Sequence, residues 1–140
     1  VNIFHDERMA VAIIDRLIHN SQIVVFNGEI IVQDSKDENR TEKAENTLKK
    51  LGYNPKILIG DGTAGLQDYQ PYQAIIVTAG APDIPEPLIK QLDEGGRIVI
   101  PVGDLFSQTL IRGIKNKGKL ITENYGGCQF VPLKGKYGWK

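Results

Sequence analysis

A chain of 140 residues is long enough for one domain that buries roughly two thirds of its unfolded surface, so a core forms without disulfide or metal staples. Its 17 basic residues balance 17 acidic ones, which removes the electrostatic footprint of non-specific nucleic-acid binding. Cys128, the one cysteine, cannot form an internal disulfide, and no segment has the apolar length of a membrane span or the layout of a signal peptide; the cytoplasm is the expected setting.

Along the chain, "DERMAVAIIDRLI" places Met9, Ile13 and Leu17, with Ala10 and Ile14, at helical spacing. "IVVFNGEIIV" then gives two β-branched runs around "FNGE". These read either as a hairpin turned at Asn27-Gly28 or as one strand followed by the start of another. The polar stretch "DSKDENRTEKAEN" keeps a stripe of Ala44, Leu48 and Leu51 that stops at Gly52, a solvated helix with a glycine C-cap. Beyond it the punctuation becomes regular. "PKILIGDG" and "AIIVTAGAP" are strands, "EPLIKQLDEGG" is a helix with glycines past its end, and "RIVIPVG" is a further strand. The runs Ile75–Val77 and Ile98–Ile100 are continuously apolar, as in strands covered on both faces of a parallel sheet. "QTLIRGIKNKGKLITENY" alternates about Asn116-Lys117-Gly118 and predicts an antiparallel hairpin between 108 and 124.

Open parallel sheets bind ligands beyond the carboxyl ends of their strands, which assigns "GDGTAG", "TAGAPDIP" and "PVGD" to one rim. Ala79, Gly80 and Ala81 let a ligand or another chain segment approach the backbone, and Pro82 and Pro85 stiffen the loop. The same small residues equally allow close packing of a strand on a helix. His5 and His19 read as helix-end or surface histidines and Cys128 as a packed thiol, so no acid-base or metal cluster emerges.

"LKKLGY" (48–53), "GDGTAGL" (60–66), "PYQAIIVTAGAPDIPEPLIKQL" (71–92), "GGRIVIPVG" (95–103) and "FVPLKGKYGW" (130–139) resemble the latter two thirds of protein-L-isoaspartate O-methyltransferases. The resemblance implies a three-layer Rossmann-like α/β methyltransferase fold over a single domain, 1–140. Its sheet is expected to be mostly parallel, with an antiparallel C-terminal hairpin and an atypical N-terminal segment, 1–34, truncated or replaced. It further implies S-adenosylmethionine as methyl donor and isoaspartyl carboxylates of damaged proteins as substrate. Residue by residue, Asp61, Gly62, Thr63 and Thr78 fall at donor-binding positions, Asp34 at the ribose-binding acidic position with Asp37 or Glu38 as alternatives, and Ala79, Gly80, Ala81 and Pro82 in the loop between donor and peptide. No catalytic residue is assigned.

Family members carry an "EIGTGSGY"-like glycine-rich loop and a "TIS"-like segment, and neither is found here; Gly28 is the only glycine before Gly52. Donor binding is therefore expected to be weak or absent, and a homodimer is expected to cover exposed sheet. The competing reading is a non-catalytic recombined or remnant α/β domain that binds a nucleotide-like ligand weakly or only self-associates. Residues 3–29 also resemble the carboxyl-terminal end of IstB-like transposition ATPases, which makes a transposition accessory the third reading. That segment has no phosphate-binding "GxxxxGK" motif.

Overall fold

The structure, a computed structural model, describes residues 23–26, 30–33 and 38–140. The helix expected near 6–19, the Asn27-Gly28 turn and Asp34 and Asp37 lie outside the described residues. In chain order the elements are β1 (Ile23–Phe26), β2 (Ile30–Gln33), α1 (Glu38–Lys50), β3 (Lys56–Ile59), two single 3-10 turns (Gly62–Ala64 and Gln67–Tyr69), β4 (Tyr72–Val77), α2 (Glu86–Gln91), β5 (Leu92–Gly103), β6 (Gln108–Asn116) and β7 (Lys119–Cys128). All seven strands form one sheet in the order β3-β2-β1-β4-β5-β6-β7.

β2 and β3 run parallel across the α1 crossover, as do β4 and β5 across α2. The two crossovers lead away from the β1/β4 boundary in opposite directions. Right-handed connections therefore lay α1 and α2 on opposite faces, the layering of an α/β methyltransferase fold. The sheet is mixed, however, and not mostly parallel. β1 pairs antiparallel with both β2 and β4, and β6 pairs antiparallel with both β5 and β7. Connection length explains the difference. Residues 27–29 and 104–107 are far too short for a crossover, which needs roughly a dozen residues, so each joins antiparallel neighbours.

The core lies under β4 and β5. Ile75, Ile76 and Val77 are buried in succession, which requires cover on both faces of β4, and Leu88, Leu92, Ile98, Ile100 and Leu133 close around them. Each such side chain stabilises the fold by roughly 1.5–3 kcal/mol. The phenol of Tyr72 is buried with them and donates to the Leu66 carbonyl; burial foremost, with the Asp68 charge adding to it, pushes it up to about 12. The helix expected over "EPLIKQLDEGG" stops at Gln91, and β5 begins at once. The Lys115 ammonium ends it by donating to the carbonyls of Lys90 (3.2 Å) and Leu92 (2.8 Å), where a cation meets the helix's negative pole.

The C-terminal hairpin turns through Lys117 (φ 50°) and Gly118 (φ 74°), the paired positive φ values of a type I′ turn. Both of their N–H groups donate to the Glu94 carboxylate at 2.8 Å, so the start of β5 grips the turn from outside. Glu94→Ala is expected to cost about 1 kcal/mol and Glu94→Gln about half as much, seen as shifts of the denaturant midpoint at constant slope. Equal midpoints for wild type and Glu94→Ala would show that the turn holds itself.

Candidate functional site

β2, β3, β4 and β5 share one direction, so Gln33, Ile59, Val77 and Gly103 all end on the same rim. β1 runs the other way. It contributes its entry end there, Ile23 being the register partner of Gln33. From this rim leave the loop 60–65 after β3, the loop 78–85 after β4 and the loop 104–107 after β5.

In the first loop Asp61 caps the turn Gly62–Ala64: its Oδ1 accepts the Thr63 N–H (2.9 Å) and the Thr63 hydroxyl (2.6 Å). Its Oδ2 accepts the backbone N–H of Lys136 at 2.8 Å, from the far end of the chain. A carboxylate offers about four lone-pair sites. Three donors leave one, on Oδ2, and Asp61 itself is exposed. Burial raises the Asp61 carboxyl, but the hydrogen bonds from Lys136 and Thr63, with the Lys136 charge, outweigh it and hold the group below its ordinary value of 3.8. Thr63 is fully buried, and its hydroxyl also accepts the Tyr137 N–H at 3.1 Å, so this side chain is committed to the protein. Gly62 is buried beside it.

The sign of the acid response follows. A carboxyl depressed in the folded state contributes stability that is full above its unfolded value and lost as pH falls through the folded one. Wild type is expected to lose tail anchoring below about pH 4, read from the fluorescence of Trp139, the chain's one tryptophan, while Asp61→Asn shows no such step. An identical acid profile in both proteins would place the titration elsewhere.

In the second loop Thr78 is half-buried, Ala79 and Ala81 are fully buried, Gly80 is buried, and Pro82 is exposed at the rim. The C-terminal tail and β5 account for the burial. The Gly80 N–H donates to the Val131 carbonyl (2.8 Å), and the Gly80 carbonyl accepts from the Leu133 N–H (2.8 Å) and from the Trp139 indole Nε1 (3.0 Å). Ala81 bonds the Pro101 carbonyl and the Gly103 N–H, each at 2.9 Å. Residues 79–81 are small and apolar, which lets backbone approach the loop from two sides. The third loop is fixed by Asp104, whose Oδ1 accepts from Phe106 N and Ser107 N at 2.7 Å; those two bonds hold its carboxyl below the ordinary range. Buried Gln108 completes the frame, taking the Phe130 N–H on Oε1 and giving its amide to the Asp104 carbonyl.

The rim thus brings Asp61, Gly62 and Thr63 together with Gly80 through residues 131–139, while Asp34 lies outside the described residues. The sequence assigns Lys136, Tyr137 and Trp139 no role beyond their place in the family-like run "FVPLKGKYGW"; Lys136 and Tyr137 act through backbone N–H groups and Trp139 through its indole as well. The spacing Gly135-x-x-Gly138 within that run is a mark of close approach. Cys128 is half-buried, and burial raises its thiol, in keeping with a packed rather than reactive group. Among the described residues no group of acidic, histidine or cysteine side chains is arranged to hold a metal ion, and no helix is long and apolar enough to cross a membrane.

Residues 11–138 match the family model of protein-L-isoaspartate(D-aspartate) O-methyltransferase. The chain is 49% identical over 120 residues to a protein-L-isoaspartate O-methyltransferase of Methanococcus aeolicus, covering 85% of this chain and 55% of that one. It is 56% identical over 99 residues to one of Geobacter metallireducens, covering 69% and 46%. Among solved structures it is similar to a protein-L-isoaspartate O-methyltransferase with TM-score 0.67 and 29% identity, over 78% of this chain and 35% of that chain. It is also similar to a beta-aspartate methyltransferase of Plasmodium falciparum in complex with S-adenosyl-L-homocysteine, with TM-score 0.63 and 25% identity over 75% and 51%. The chain spans about half the length of the curated relatives it matches. The family match takes in most of 3–29, and these comparisons lend the resemblance to IstB-like ATPases no support.

Proposed function

Because the chain belongs to the protein-L-isoaspartate O-methyltransferase family, we propose that its rim is the adenine-side and substrate-loop part of an S-adenosylmethionine-dependent site that methylates isoaspartyl carboxylates. The observation that carries the reading is the Asp61 carboxylate, exposed on the rim and fixed in place by Thr63 and Lys136 with acceptor capacity left on Oδ2. It is preorganised to accept one N–H, such as the exocyclic amino group of adenine, at no reorganisation cost. Gly60 beside it is open, with no heavy atom within 4 Å of where a Cβ would stand, which leaves room for a flat base. Thr78 and Pro82 border the approach of a peptide.

The bound donor supplies a sulfonium-activated methyl group. A carboxylate is ionised at neutral pH, so the protein's task is alignment and exclusion of water, which this rim performs with backbone and small side chains rather than with an acid-base pair. Among the described residues the methionine end of the donor is not matched. β1 brings its entry end to the rim, so no loop leaves its carboxyl end there, and the connector 27–29 joins the opposite ends of β1 and β2. Several polar contacts, each contributing about 1–3 kcal/mol, are thereby forgone, and affinity is expected to be lower by roughly a hundredfold or more than with both ends held.

Calorimetry with S-adenosylhomocysteine, beside a methyl-transfer assay on an isoaspartyl peptide, tests this reading. The expected result is weak heat that Asp61→Ala abolishes, with little or no turnover by this chain alone. Binding that is indifferent to Asp61→Ala would sink the adenine assignment. Tight binding with robust turnover would show that residues outside the described set complete the site.

A second reading, self-association, is favoured by the edge strands β3 and β7, which pair on one side only among the described residues. β7 exposes almost every residue, Ile121 and Tyr125 among them, and a second copy pairing there would cover it. Light scattering that gives the monomer mass at every concentration would remove it. The balanced charge and lone cysteine fit a cytoplasmic protein that does not bind nucleic acid.

A further inference from the structure

The loops that carry Asp61 and Gly80 leave β3 and β4, and β2 and β1 stand between those strands in the sheet. At about 4.8 Å per strand the two exits are roughly 14 Å apart, and no ladder joins them directly. The tail does. Residues 133–139 form a unit closed by its own bonds: Trp139 N–H to the Leu133 carbonyl (2.8 Å), Gly135 N–H to the Trp139 carbonyl (3.2 Å) and Gly138 N–H to the Gly135 carbonyl (3.2 Å). One end grips Gly80 through the Leu133 N–H and the Trp139 indole; the other delivers the N–H groups of Lys136 and Tyr137 to Asp61 and Thr63.

We propose that Trp139 is a positioning residue: through the closed turn 133–139 it holds the Gly80 carbonyl and the Asp61 carboxylate in one register, so that the two loops order together. Its functional meaning rests on the methyltransferase reading, in which Asp61 faces the donor and the Gly80 loop the peptide. Reciprocity is the signature. If the turn transmits a constraint from Gly80 to Asp61, it transmits the same coupling free energy back.

Amide hydrogen exchange on the full chain reads it at both ends. Trp139→Phe keeps an aromatic side chain but removes the indole donor to Gly80 along with part of its volume. It is expected to speed exchange about tenfold at Leu133 and also at Lys136 and Tyr137, on the far side of the turn. Asp61→Asn, at an exposed position, is expected to speed exchange at Gly80 and Leu133 by a similar factor. Acceleration confined to the mutated end in both variants overturns the proposal. Should Trp139→Phe fail to fold, Asp61→Asn decides alone: faster exchange at Gly80 and Leu133 supports the coupling, and unchanged exchange overturns it. Addition of S-adenosylhomocysteine to wild type separates the two levels. Reciprocal exchange without any protection by this ligand upholds the coupling and refutes the donor site, whereas protection at Lys136 that extends to Gly80 in wild type but not in Trp139→Phe supports both.

Discussion

Gly135→Ala is expected to be among the most damaging single-methyl changes in the chain. A Cβ at this position would stand 2.2 Å from Asp61 Oδ1 and 2.7 Å from Thr63 Oγ1, and the residue holds φ +149°, which side chains rarely adopt. Neither neighbour can give way cheaply. The Asp61 oxygen is pinned by two Thr63 donors, and Thr63 is fully buried. Overpacking and backbone strain each cost about 1–3 kcal/mol, for a combined loss of about 2–6 kcal/mol. In a chain of this length that lowers Tm by roughly 10 °C. The tail can escape part of the penalty by lifting off, in which case the fluorescence of Trp139 shifts toward that of a solvated indole before the rest unfolds. Gly60→Ala is the control, because its Cβ would meet nothing within 4 Å; it is expected to be neutral or slightly stabilising. Equal melting and equal fluorescence for the two variants would mean that the tail does not rest on Asp61.

How far the sequence foretold this site depends on what each residue uses to act. The strands were legible where β-branched runs are uninterrupted, as in Ile75–Val77 and Ile98–Ile100, since only a sheet covered on both faces buries such runs. Strand direction was not, because alternation and apolarity report burial and not polarity of the chain; the length of the 27–29 connection was the better guide. Likewise the helix over "EPLIKQLDEGG" was foreseen but not its early stop, which depends on Lys115, far along the chain. For Ala79, Gly80 and Ala81 the sequence offers ligand approach or the packing of a strand on a helix; it does not foretell that the tail and β5 lie against them. The tail's role was not legible because Lys136 and Tyr137 contribute backbone N–H groups, which every residue but proline possesses. What the sequence did carry was the family-like run "FVPLKGKYGW" with its glycines at 135 and 138, where an added Cβ would stand 2.2 Å from a neighbouring oxygen.

Gln91→Ala is expected to rival Gly135→Ala, by the opposite mechanism. The Gln91 side chain is buried; its Oε1 accepts the Leu66 N–H at 2.8 Å and its Nε2 donates to the Ala64 carbonyl at 2.9 Å, which ties the end of α2 to the loop that Asp61 begins. Truncation leaves that donor and that acceptor unpaired, at about 1–3 kcal/mol each, and opens a cavity besides, so a loss of about 3–5 kcal/mol is expected in denaturant unfolding. Gln91→Glu separates the polar part from the packing part. The shape is kept and the Leu66 bond survives, but a charged oxygen now faces the Ala64 carbonyl, so the carboxyl's folded-state pKa is raised above its unfolded value of about 4.3. A group raised in the folded state contributes stability that is full below the unfolded value and lost as pH rises through the folded one. In acid, the protonated Gln91→Glu carboxyl can donate to Ala64 as the amide does. The variant should therefore approach wild type below about pH 4 and fall toward Gln91→Ala at neutral pH, while Gln91→Ala keeps a nearly constant deficit across that range. A constant deficit for Gln91→Glu as well would show that the cavity, and not the two hydrogen bonds, carries the cost.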